Sequence, residues 1–169
     1  HIAIRHCTIR NQPAPDFNPT RFTSGGAGAW YSGLSSIVPR EGPVSNIVVF
    51  GCDYTGNAGG QTLDYESGRH CIIASGKSDG SHIAENIWIL NNIMHDNPED
   101  GIQLGESSNS ANRSLCRNLF IGGNQITNHG ENAIDLKACE RVITSQNLIS
   151  GYRRTSYRPG SVSGSDGTA

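Results

Sequence analysis

The sequence has no run of 18 apolar residues, so nothing in it reads as a membrane-spanning helix. Charge is scarce as well. Only 17% of residues are charged, the formal net charge is -2 and the pI is about 6.3. That lacks the basic face a nucleic-acid binder usually needs. An acidic polysaccharide is still compatible, because a local Arg/Lys cluster can act inside a weakly acidic protein. No two of the cysteines, Cys7, Cys52, Cys71, Cys116 and Cys139, have CxxC spacing, which removes the common structural zinc pattern. There is no Walker loop, dinucleotide fingerprint or HExxH helix. No stretch has the periodicity of an amphipathic helix. No basic and apolar leader precedes the strand pattern at His1, so a signal peptide is absent, removed or outside this chain.

What is present is turn chemistry and β-branched residues. The 169 residues, enough for one ordinary domain, include 21 glycines, many asparagines and much Ile and Val. Such a composition reads as all-β with many tight bends.

Repeats decide the fold class. Five segments share one template: HIAIRHCTI (1–9), NIVVFGCDY (46–54), NIWILNNIM (86–94), NLFIGGNQI (118–126) and RVITSQNLI (141–149). Counting the first residue as position zero, position one is Ile2, Ile47, Ile87, Leu119 and Val142. Position three is Ile4, Val49, Ile89, Ile121 and Thr144, and position six is Cys7, Cys52, Asn92, Asn124 and Asn147. Position eight is Ile9, Tyr54, Met94, Ile126 and Ile149. The period-two alternation predicts short strands. A further strand pair follows in two coils, with Ile102 beside Ile134 and Leu104 beside Leu136. Starts at 1, 46, 86, 118 and 141 lie 45, 40, 32 and 23 residues apart. Variable loops on a constant strand template predict a parallel β-helix, whose coils stack at about 4.8 Å.

In that stack Asn92, Asn124 and Asn147 form an amide ladder at a bend, each bonding the next amide and the neighbouring backbone. Cys7 and Cys52 share position six. Cys116 and Cys139 share a column two residues before their repeat starts, where other coils have Val44 and Ala84. Both pairs are expected to be inward-facing free thiols, although their spacing is within disulfide range. Cys71 aligns near Ile102 and is expected in the core.

These repeats resemble those of the pectate lyase-like superfamily over nearly all of residues 1–150. The segment GENAIDLKAC (130–139) resembles motifs of β-helical polysaccharide lyases. The resemblance implies a right-handed coil, a secreted or cell-surface setting and carbohydrate cleavage. It is specific for fold and weak for function, since the same coils serve lyases, hydrolases, epimerases and phage tailspikes.

A packed interior leaves the outer faces for chemistry. If Ile134 and Leu136 point inward, Asp135 and Lys137 point outward, with Gln103 beside Asp135, Asp100 beside Asn132, and Glu99 beside Glu131. Carboxylates of Glu99, Asp100, Glu131 and Asp135 are a candidate Ca²⁺ set, since that ion takes oxygen ligands. In the lyases this chain resembles, Ca²⁺ binds the uronate carboxylate and a Lys or Arg removes the adjacent proton. On that analogy Lys137 is the base, its pKa lowered by neighbouring cations or desolvation, and Asp135 and Gln103 flank it. The plain alternative is a surface ion pair between Asp135 and Lys137.

His129 with Glu131 is a candidate acid/base pair. His95 is expected in a loop, and His70 is placed to reach the Asp135 face. Position two, Ala3, Val48, Trp88, Phe120 and Ile143, is an apolar column on an outward face. It reads as covered by the long loop 12–43, or as a sugar-stacking platform built on Trp88 and Phe120. Arg153, Arg154 and Arg158 in the tail are candidates for binding substrate carboxylates or sulfates, unless the tail is simply a flexible end.

The expected fold is therefore an all-β, right-handed parallel β-helix of about five coils over residues 1–150, as a fragment of a longer β-helix. The remaining coils of such a chain would be its partners, and residues 151–169 are a loop or the start of the next coil. The expected function is lyase-type β-elimination on acidic, uronate-containing polysaccharides, with Ca²⁺ as cofactor and with no nucleic-acid or membrane partner. Alternatives are a carbohydrate-binding or adhesion module, a structural shaft, and a hydrolase or epimerase.

Overall fold

The structure, a computed structural model, describes residues 2–10, 33–37, 42–55, 70–77, 80–97, 100–105, 115–151 and 162–164, without the side chains of 10, 33–36 and 162–164. Most of the loop 12–43, the segment 58–69, Glu99, and the tail with Arg153, Arg154 and Arg158 lie outside them.

Among the described residues, fifteen strands form three five-stranded sheets, and every pairing is parallel. The first sheet holds β1 (Ile2–Arg5), β4 (Val44–Phe50), β7 (Ala84–Leu90), β10 (Cys116–Gly122) and β13 (Cys139–Ser145). The second holds β2 (Thr8–Arg10), β5 (Asp53–Thr55), β8 (Ile93–His95), β11 (Gln125–Thr127) and β14 (Leu148–Ser150). The third holds β3 (Gly33–Ile37), β6 (His70–Ala74), β9 (Ile102–Leu104), β12 (Ile134–Leu136) and β15 (Val162–Gly164). The chain visits the three sheets in the same order five times, and no helix occurs among the described residues. This all-β arrangement of stacked parallel strands is compatible with a β-solenoid.

The register is the one the repeat predicts. Ile47 pairs with Ile87, and Ile87 with Leu119. Cys116 pairs with Ala84 on one side and Cys139 on the other. Ile102 stands beside Ile134 and Gln103 beside Asp135. One expectation is corrected. The stretch 12–43 is not all loop, because β3 lies within it; its GLSSI sequence belongs to the third sheet and lacks the long template. Cys71 lies near Ile102 and in the core as expected, one place before Ile72, with its N–H donating to the Asp100 carbonyl.

Alternation places the core. Ile47, Val49, Ile87, Ile89, Leu119 and Ile121 from the first sheet meet Tyr54, Met94 and Ile126 from the second and Ile72, Ile102, Ile134 and Leu104 from the third, all buried. Removing this apolar area from water is the main favourable term. In the first and last coils the same columns are only partly covered: Ile4, Ile9, Val142 and Ile149 are half-buried.

The bends need left-handed backbone, and the sequence supplies the residues that tolerate it. Position zero has positive φ at Asn46, Asn86, Asn118 and Arg141, between 54° and 57°. Position five does so at His6, Gly51, Asn91, Gly123 and Gln146. At Gly123, with φ of 64°, an added Cβ would sit 2.2 Å from Asn91 Oδ1, so glycine is also required by space. The position-zero asparagines form a ladder of their own, with Asn118 Nδ2 donating to Asn86 Oδ1 at 2.9 Å and Asn86 Nδ2 to Asn46 Oδ1 at 3.4 Å.

The position-six ladder is buried and more complete. Asn124 Oδ1 accepts the Asn92 backbone N–H at 2.9 Å and Asn92 Nδ2 at 3.0 Å. Asn147 Oδ1 accepts the equivalent pair from Asn124 at 3.0 and 2.9 Å. Each Nδ2 also donates to a core-strand carbonyl of the preceding coil: Asn92 to Val49, Asn124 to Ile89, Asn147 to Ile121. Cys52 continues the column, its N–H donating to Asn92 Oδ1 at 2.9 Å. All five cysteines are free, and all but the half-buried Cys7 are buried. Burial pushes the Cys52 and Cys71 thiols up; at Cys139 the contact with Cys116 does so first and burial second.

Two outcomes follow. Asn124→Ala removes a fully bonded buried amide and should cost on the order of 1–3 kcal/mol, measured by denaturant unfolding; an unchanged midpoint would mean that the amide faces solvent. In the native state a thiol reagent should modify Cys7 first and reach Cys52, Cys71, Cys116 and Cys139 only on unfolding. Equal labelling rates, read by mass spectrometry, would contradict the inward register.

Candidate functional site

On the third sheet, Ile72, Ala74, Ile102, Leu104 and Ile134 belong to the core. The residue between each pair, Ile73, Gln103 or Asp135, therefore faces outward. The turn leading into β9 is tied by Asn97, whose Nδ2 donates to the Asp100 carbonyl and whose own carbonyl accepts the Gly130 N–H. Asp100 is thereby placed beside Asn132 of the next coil. Its Oδ1 accepts the Asn132 backbone N–H at 2.9 Å and Asn132 Nδ2 at 3.0 Å. Its Oδ2 lies 3.3 Å from Nδ1 of His70, at the start of β6.

Lys137 follows β12. Its backbone N–H donates to the Leu104 carbonyl, which fixes the start of the side chain. Its Nζ lies 3.2 Å from Asp135 Oδ2 and donates to Gln103 Oε1 at 3.3 Å. Burial acts most strongly on the ammonium and pulls its pKa down. Asp135, by charge and hydrogen bond, and then Asp100 and Glu131 push it up further, so the net shift is upward from 10.5. This corrects the expected lowered pKa: the groups around Lys137 are carboxylates, not cations, and they outweigh desolvation.

The structure thus brings together Asp100, Gln103, Asp135 and Lys137, within the electrostatic reach of Glu131, as the sequence predicts. Asn132 stands beside Asp100 as expected, and His70 joins from β6. The group is more enclosed than a surface ion pair: Gln103 is 7% exposed, Asp135 6% and Asp100 0%. Replacing Asp135 is therefore not neutral for folding, as an exposed position would be. Of the expected calcium set, Glu99 lies outside the described residues, Asp100 Oδ1 accepts from Asn132, and Asp135 lies against the Lys137 ammonium. Among the described residues no group of three His, Cys, Asp or Glu is placed to hold a metal.

Other candidates lie elsewhere. His129 is fully buried, with Nε2 3.2 Å from the Met94 carbonyl and Cε1 near the Gly101 backbone. His129 is therefore buried rather than exposed on the outer face with Lys137. His95 lies in β8 rather than in a loop, on the outer face of the second sheet. There Nδ1 is 2.8 Å from Asp96 Oδ2 and 3.2 Å from Thr55 Oγ1, and Nε2 is 3.6 Å from Asp53 Oδ1. Asn128 donates to the other Asp96 oxygen. Trp88 is on the first sheet, away from the Lys137 group; in the position-two column Trp88 is 37% and Ile143 58% exposed, and most of the loop 12–43 expected to cover it lies outside the described residues. His70 was expected to reach the Asp135 face; the 30-residue offset that puts it beside Asp100 follows from the Ile72–Ile102 register.

Comparison of the chain with protein-family models, with curated proteins and with solved structures finds no match.

The raised Lys137 pKa has a definite pH sign. Its contribution to stability is fully present below 10.5 and is lost only as pH rises through the still higher folded-state value. Nuclear magnetic resonance of the Lys137 side chain should show the ammonium retained at pH 10.5. A midpoint below that value would mean that desolvation wins.

Proposed function

We propose that the chain forms the coils of a right-handed parallel β-helix of the pectate lyase-like kind, in a secreted or cell-surface setting, and that it cleaves acidic polysaccharides by β-elimination at the outer face of the third sheet. The observation that carries this reading is the ammonium of Lys137, held beside Gln103 and Asp135 with His70 and Asp100 in the adjoining column. Elimination next to a uronate needs three things: positive charge at the carboxylate, a base for the proton beside it, and a proton for the departing glycosidic oxygen. A Lys137 ammonium whose pKa is raised serves the first and the third. It does not serve the second, and the reading gives that role to His70, whose Nδ1 lies 3.3 Å from Asp100 Oδ2.

A second reading has its own observation. Asp100, Gln103 and Asp135 are almost fully buried, which suits a polar brace inside a non-catalytic binding module or shaft.

The test is release of unsaturated uronate absorbance from pectate, alginate and glycosaminoglycans, with added calcium and with EDTA. The elimination reading expects cleavage of at least one polymer, abolished in Lys137→Ala and in His70→Ala, with each variant's melting recorded as a folding control. Cleavage that survives Lys137→Ala in a folded protein would move the chemistry off this face. No cleavage of any of these polymers would favour the brace.

A further inference from the structure

The first sheet carries a feature that the third-sheet chemistry does not use. Position two of its strands runs Ala3, Val48, Trp88, Phe120, Ile143, one residue per coil, in direct register. These side chains alternate with the core residues Ile47, Val49, Ile87, Ile89, Leu119 and Ile121, so they stand on the outer face. Trp88 and Ile143 are exposed and Phe120 is half-buried. Beside them, position four is Gly122 in the Phe120 coil. A Cβ there would lie 2.9 Å from Phe120 Cε1 and 3.5 Å from Leu90 Cδ2. The Phe120 ring thus occupies the room of the missing side chain and lies low over the sheet, next to Trp88 of the preceding coil.

We infer that this strip binds an uncharged polysaccharide running along the coil axis, one sugar ring per coil. Three observations select that occupant. Successive coils are spaced about 4.8 Å, roughly the length of one pyranose ring, and Trp88 and Phe120 fall in consecutive coils. Five coils make a strip only about 20 Å long and a few hundred Å² in area, which is small against the ~800 Å² per partner of a stable protein interface. The bordering charges are mixed and locally engaged, so they select no anionic chain. Glu85, Arg117 and Glu140 share one column, Arg117 Nε lies 3.9 Å from Glu140 Oε2, and Arg141 donates to Asn118 Oδ1. Aromatic faces pair with the C–H faces of pyranoses whose hydroxyls are equatorial, so the ligand class is a neutral β-linked glucan or a close relative. This binding is independent of the proposed elimination, since it involves another sheet and another polymer.

The experiment is native affinity electrophoresis of the whole chain in gels containing hydroxyethylcellulose or xyloglucan, with polygalacturonate gels beside them. The wild type should be retarded by a neutral glucan. Trp88→Ala should weaken that retardation on the order of tenfold, and Trp88→Phe should restore part of it. Phe120→Ala should weaken it as well. Because Trp88 is exposed, its variants should melt like the wild type, which separates lost binding from lost fold. Equal retardation of wild type and Trp88→Ala, retardation by polygalacturonate alone, or none by either glucan would each overturn the inference.

Discussion

A backbone that turns a corner between two sheets carries N–H and C=O groups that strand pairing does not reach, and buried groups of that kind must find partners. At the corner after the first sheet, the partner is the side-chain amide of position six. Asn124 Oδ1 takes two donors from Asn92, and Asn124 Nδ2 gives to Ile89 and Asn147. The amide therefore acts as a second backbone running along the stack. It fixes the register from the second coil to the last, because a slip of one residue would leave these donors buried without acceptors and would turn the apolar columns outward.

The outer faces inherit that register. Once Ile102 and Ile134 are locked over one another, Gln103 and Asp135 must stand together on the other side, and Lys137 must follow. The same logic aligns Trp88 with Phe120 on the first sheet. The two faces differ in what surrounds them. On the third sheet three carboxylates raise the pKa of the Lys137 ammonium and favour its charged form. On the first sheet the neighbouring charges cancel, and apolar surface is what remains.

Much of the arrangement was legible in the residues. Repeating Ile, Val and Asn at fixed template positions gave the sheets, the inner columns and the position-six ladder. The clustering of Asp100, Gln103, Asp135 and Lys137 came from the same counting. What escaped were features without a periodic signal. β3 lies in a stretch whose GLSSI lacks the long template. His129 looked like an exposed loop histidine because local sequence does not reveal that its ring turns inward to the Met94 carbonyl. The Lys137 pKa depends on a balance between burial and three carboxylates brought from two coils, and that balance is a property of the packing. The position-zero asparagines marked each repeat start, yet their left-handed backbone and their own ladder become apparent only when the coils are stacked.

The claim that stacked amides fix the coils is tested most directly by native-state hydrogen exchange at the backbone N–H groups of Cys52, Asn92 and Asn124, which donate to side-chain amides of the following coil. These three should exchange as slowly as the core-strand amides of Ile89 and Ile121, opening only with global unfolding. Exchange at the rate of exposed loop amides, while those core strands stay protected, would contradict the account.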